Sequence, residues 1–103
     1  MANQQTYELG DYHGRSYLIT RRMDPTDRDP DDWAVTVHYR DRTTGEAVEV
    51  AKVDNAHGQT HIHRFYRRED PREPVDWGPW EAMSRLMEKW KTFAEEHEKI
   101  RSQ

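Results

Sequence analysis

Two histidines spaced one residue apart, His61 and His63, are the side chains in this sequence best suited to chemistry. On a β-strand such a pair projects both imidazoles from one face. Imidazole titrates near neutral pH, so one ring can accept a proton while its neighbour donates one. That is the equipment for cleaving RNA without a metal. One His would deprotonate the 2′-hydroxyl, a second would protonate the leaving 5′-oxygen, and an Arg would stabilise charge on the phosphorane. His61 and His63 are the expected catalytic pair, with His38 as the substitute. Arg40, Arg64 and Arg67 are the candidate phosphate ligands, and Phe65, Tyr66 and Tyr39 the candidates for stacking on bases. Whether the protein is an enzyme stays open on this reasoning, because polar residues also cover the open face of ordinary antiparallel sheets.

The same imidazoles have a rival use. A third His, from His57 or His38, would turn His-x-His into a catalytic zinc site with water as the last ligand. The sequence places no fourth protein ligand, so no metal and no cofactor is expected; if one bound, His57, His61 and His63 would be the set. The five Asp between residues 24 and 32 do not have the spacing of a calcium loop. His13 and His97 read as surface or packing residues.

Positioning these side chains requires strands. Trp33, Val35, Val37 and Tyr39 alternate with Ala34, Thr36, His38 and Arg40, which predicts a strand with one buried and one polar face. Asp41 to Gly45 supplies a hairpin loop. The return strand, 46–53, carries Val48 and Val50 on the buried side and Glu49 on the other. Its alternation breaks at Lys52 and Val53, which predicts a bulge near Ala51. A turn at Asp54–Gln59 leads to a strand at 60–67. Earlier runs at 6–9 and 15–21 also read as strands, and 68–76, with Pro71 and Pro74, as a loop.

From residue 78 to 100, Trp80, Met83, Leu86, Met87, Trp90, Phe93, Ala94, His97 and Ile100 recur at helical spacing, and Pro79 and Glu81 suit a first turn. The expectation is an α+β domain: a four- or five-stranded antiparallel meander under one long C-terminal amphipathic helix. Thr36, His38, Arg40, Glu49, His61, His63 and Phe65 should then share the face away from the helix. A helix of that length outruns an eight-residue strand, so its last turns, with Phe93 and Ile100, are expected to contact a second copy.

Composition bounds the rest. A chain of 103 residues makes one domain, and four Trp, five Tyr and two Phe compensate for a hydrophobic content of only 33%. The formal net charge of −4 does not by itself indicate a nucleic-acid partner. No Cys is present, which excludes disulfides and thiolate ligands. The N-terminus has no signal-like core and no apolar run approaches membrane-spanning length, so a cytoplasmic protein is expected.

The run Val53-Asp54-Asn55-Ala56-His57-Gly58-Gln59-Thr60-His61-Ile62-His63 follows a strand bearing Tyr39-Arg40-Asp41 and leading to Glu46. Together they resemble small prokaryotic proteins of the TumE-like toxin family, which carry an Asp-Asn-x-x-His turn and then a His-x-His strand on a short meander with a helix. The resemblance covers roughly residues 33–66, and Asp54, His57, His61 and His63 are the matching positions. It implies the toxin of a toxin–antitoxin pair, acting on RNA, with a cognate antitoxin-like partner. The alternative class is a non-enzymatic interaction module, suggested by the segregated Asp-rich and Arg-rich segments and by the long helix.

Overall fold

The computed structural model describes residues 3–26, 28, 30–67 and 72–101, apart from the His57 side chain. Two of the five Asp in the acidic loop, Asp27 and Asp29, and the segment 68–71 lie outside the described residues. Six strands run in chain order across one antiparallel sheet: β1 (Asn3–Tyr12), β2 (Arg15–Asp24), β3 (Asp32–Arg40), β4 (Ala47–Asp54), β5 (His61–Arg64) and β6 (Arg72–Pro74). One helix, α1 (Pro79–Arg101), lies across one face. The architecture is the expected α+β meander with one C-terminal helix, with β6 added to the five strands read from sequence.

Alternation decides which side chains meet the helix. Tyr17, Ile19 and Met23 of β2, Trp33, Val35, Val37 and Tyr39 of β3, and Val50, Ala51 and Val53 of β4 are buried on the covered face. Ile62 of β5 joins them. The helix contributes Ala82, Met83, Leu86, Trp90, Phe93, Ala94 and His97. The anticipated β4 bulge is present: Val37 pairs with Ala51 but His38 pairs with Glu49, so Val50 is the extra residue. That insertion lets Val50, Ala51 and Val53 all be buried while Lys52 and Glu49 stay on the open side.

Local chemistry closes the turns as the sequence requires. Backbone N–H groups of Thr43 and Thr44 donate to Asp41 Oδ1 at 2.8 and 3.1 Å, which holds the Asp41 carboxyl below its ordinary range. Gly45 then takes φ +76°, a conformation that favours glycine. At the helix start, Pro79 suits the first turn and Arg85 donates to Glu81 at 2.9 Å.

Three expectations are corrected. β1 is ten residues long, not four, because its polar side chains carry no apolar alternation and its backbone pairing to β2 defines it instead. Strand β5 stops at Arg64, since Arg67 N–H bonds back to Arg64 O at 3.0 Å and closes a turn. The end of the helix that carries Phe93 and Ile100 does not overhang the sheet. Phe93 is buried and Ile100 packs on the core, because ten-residue strands of about 33 Å are long enough to run beneath it. Among the described residues, no helix is long and apolar enough to cross a membrane.

Candidate functional site

The open face is a grid of polar side chains whose rows follow from the strand registers. One row reads Thr6, Thr20, Thr36, Lys52, His63 and Arg72 across the six strands, each paired with the next. The row beside it ends in Ala34, Asp54, His61 and Pro74. At the β4–β5–β6 end these rows form a small cleft lined by Asp54, Ala56, Gln59, His61, His63 and Arg72, with a volume of about 250 Å³.

The turn between β4 and β5 builds this cleft. Asp54 Oδ1 accepts from Ala56 N–H at 3.2 Å, starting the 3₁₀ turn Ala56–Gly58. Asn55 locks the turn to the sheet: its side-chain oxygen accepts from Trp33 N–H at 3.0 Å and its amide donates to Asp31 O at 2.9 Å. The other oxygen of Asp54 is then free to face the histidines. Asp54 Oδ2 lies 3.4 Å from His63 Nε2 and 3.9 Å from Lys52 Nζ.

His61 and His63 sit side by side with ring centroids 6.3 Å apart. Phe65, which is 44% exposed, stacks on His63 at 5.8 Å with 13° between ring planes. A carboxylate against one imidazole fixes that ring's orientation. Arg72 pairs across from His63 on one side and Lys52 on the other, so two cations flank the imidazole on the open face, Arg72 within the cleft and Lys52 beside it.

The sequence-derived site therefore divides. The structure brings together His61, His63, Asp54 and Phe65. It keeps His38 on the same face but two strands across from His63 and two residues further along, roughly 12 Å at ordinary strand spacing and rise. His38 pairs across from Glu49, and its Nε2 is 2.8 Å from Thr20 Oγ1. Burial holds the His38 pKa below its ordinary value, opposed by Glu49 and assisted by Arg40. Arg40 is exposed and donates to Gly45 O at the far hairpin. His57 lies in the 3₁₀ turn, but its side chain is outside the described residues. Among the described residues no three His, Asp or Glu side chains gather at metal-ligating spacing.

Arg64, Tyr66, Arg67 and Tyr39 are on the other side of the sheet. Alternation turns Arg64 toward the helix, where it bonds Glu73 at 2.7 Å and holds that carboxyl below its usual range. Tyr66 is buried and donates to Glu96; burial and that bond push its phenol upward. Arg67 lies 4.0 Å from Glu96, and Tyr39 is fully buried under the helix. None of these can contact a ligand seated on the histidines. The groups that sequence reasoning passed over are Lys52, Gln59 and Arg72. Lys52 was detectable, since it shares the parity of Thr36 and His63 once the bulge is placed. Arg72 was hidden because Pro71 and Pro74 mark its segment as loop, although an edge strand accepts proline.

The chain belongs to the family described as Domain of unknown function (DUF7718), whose model matches residues 1–103. No curated protein and no solved structure matches it.

Proposed function

We propose that this member of the family is a metal-independent acid–base enzyme acting on RNA, with His61 and His63 as the proton-transferring pair. The observation that carries the reading is the adjacency of the two imidazoles, 6.3 Å between centroids, in a cleft that also presents Arg72. In this mechanism Asp54 accepts from His63 Nε2–H, leaving Nδ1 to take the proton of a 2′-hydroxyl. The 2′-oxygen forms its bond to phosphorus as the bond from phosphorus to the 5′-oxygen breaks. His61 delivers a proton to that departing oxygen, and a 2′,3′-cyclic phosphate results. Lys52 and Arg72 face the charge on the phosphorane, and Phe65 offers an exposed ring to a neighbouring base. The likeness of residues 33–66 to TumE-like toxins supports a prokaryotic toxin or defence setting with an antitoxin-like partner.

The test is single-stranded RNA incubated with the protein in excess chelator. Cleavage ending in cyclic phosphates is expected. His61→Ala and His63→Ala should each slow it by about 10²–10⁴-fold, with unchanged thermal unfolding. RNA left intact by the native protein, or cut by both variants as fast as by the native chain, contradicts the proposal.

A second reading, a non-enzymatic interaction module, is favoured by a different observation. On the helix side, a groove of about 320 Å³ has Ile62, Val75, Trp77 and Phe93 as its floor and walls, rimmed by Arg64, Arg67, Arg85 and Lys89. Its two acids are already engaged: Glu73 by Arg64, and Glu96 by Tyr66. Such a groove suits an acidic segment of a partner protein carrying an apolar side chain. Binding of an acidic peptide that survives loss of both His61 and His63 but is lost in Lys89→Glu would favour this reading.

A further inference from the structure

The two edges of the sheet differ in the way that decides whether an edge recruits another strand. Strand β6 is three residues long, carries Arg72 and Glu73, and ends in Pro74, which has no N–H to offer. These are the features by which sheets close an edge against pairing. Over its first half strand β1 has only one of them, the charge of Glu8 at the end of that stretch. Asn3-Gln4-Gln5-Thr6-Tyr7-Glu8 contains no Pro, no Lys, no Arg and one acid. Gln4 through Glu8 are exposed, and Tyr7 keeps 39% of its surface in water. The helix does not shield this stretch. It approaches β1 at the later residues, where Trp90 lies against Gly10 and where Leu9 and Tyr12 pack on the core.

We infer that β1 is a self-complementary edge through which two copies of this chain pair antiparallel about a two-fold axis, joining their sheets into one. The register irregularity between Glu8 and Gly10 limits the pairing to Asn3–Glu8. An axis perpendicular to the sheet keeps the faces of the two copies aligned, so only residues of the same parity can lie opposite one another. A pairing centred on Thr6 obeys this rule. It sets Thr6 against its own equivalent, Gln5 against Tyr7 of the second copy, and Gln4 against Glu8. No pair in this register opposes two like charges, and Tyr7 covers the aliphatic part of Gln5. Each copy contributes the same strand, so the contact closes on itself and stops at two. Pairing β1 with β6 of another copy would instead grow without end, and the three-residue, proline-terminated β6 opposes it. The inference does not depend on the chemistry assigned to His61 and His63.

The test is the mass in solution together with amide hydrogen exchange. The native chain should be a dimer at micromolar concentration, with slow exchange at amides between Gln4 and Glu8. The double substitution Gln5→Lys with Tyr7→Lys places ammonium groups opposite one another across the axis. It should weaken association by at least about tenfold and speed exchange in β1. Both positions are exposed, but the Tyr7 hydroxyl accepts from the buried Arg21 at 3.5 Å, so the Gln5→Glu, Tyr7→Glu variant, which keeps an acceptor beside Arg21, is the control for monomer stability and should also fail to self-pair. Mixing the lysine variant with this glutamate variant should restore pairing as a heterodimer. A native chain that stays monomeric at about millimolar concentration overturns the inference. So does a dimer indifferent to the lysine pair, or an open-ended series of oligomers.

Discussion

Ile62 and His63 are neighbours in the chain, yet one is sealed beneath the helix and the other faces the open side with Asp54 and Phe65. The whole sheet repeats this contrast. Its covered face is apolar and holds most of the folding free energy. Its open face holds Thr, Lys, His, Asp and Glu, which add little to stability and can be spent on chemistry. Adjacent residues of one short strand therefore carry separable burdens, and substitutions should separate them.

The largest effect on folding is expected at Ile62. Ile62→Ala removes a fully buried side chain and should cost about 2–5 kcal/mol in denaturant unfolding. His61→Ala, one residue away, should stay within about 0.5 kcal/mol. If the two proved equal, the faces would not be energetically distinct. Gly10→Ala comes next. A Cβ there would meet Trp90 at 3.1 Å on a backbone with φ +150°, so a loss of about 1–3 kcal/mol is expected. A neutral result would mean that Trp90 moves away without cost.

The smallest effect contrasts two histidines by pH. His97 is buried beside Tyr39, with its Nε2 3.0 Å from the Tyr39 hydroxyl, which also accepts from Arg101 at 2.7 Å. Burial, then Arg101 and Arg15, hold the His97 pKa below its ordinary 6.5. The unfolded chain therefore binds this proton more readily than the folded one. Stability contributed at neutral pH should fall as pH drops through 6.5 toward the folded value, and should be flat above it. His38 adds a slope of the same sign. Thermal unfolding followed from pH 7.5 to 5 should show this decline, and His97→Gln should reduce it. An unchanged slope in that variant would place the proton elsewhere.

The helix stripe and the alternation of β3 were legible in the amino-acid sequence because burial imposes a period of its own on each. The division of His38, His61 and His63 from the core follows from the same parity. Elements that owe their form to pairing partners were not legible. Strand β1 is polar over most of its length, with Leu9 and Tyr12 packing on the core, and β6 contains a proline, so neither has a sustained apolar rhythm to read. Tyr66 was misplaced for a different reason. Its even number gives it the parity of Ile62 and Arg64, so alternation sets it on the helix side, and its choice as a base-stacking residue rested on its aromatic type instead. Trp80 and Met87 match the helical spacing but lie on its exposed flank, since the core-facing arc is narrower than the apolar one.

The proposal about the open face is tested most directly by the pH dependence of RNA cleavage measured in chelator. The account predicts a bell-shaped profile from one imidazole acting as base and one as acid, with each limb lost in one of His61→Ala and His63→Ala. A featureless profile, or cleavage that requires added metal, would contradict it.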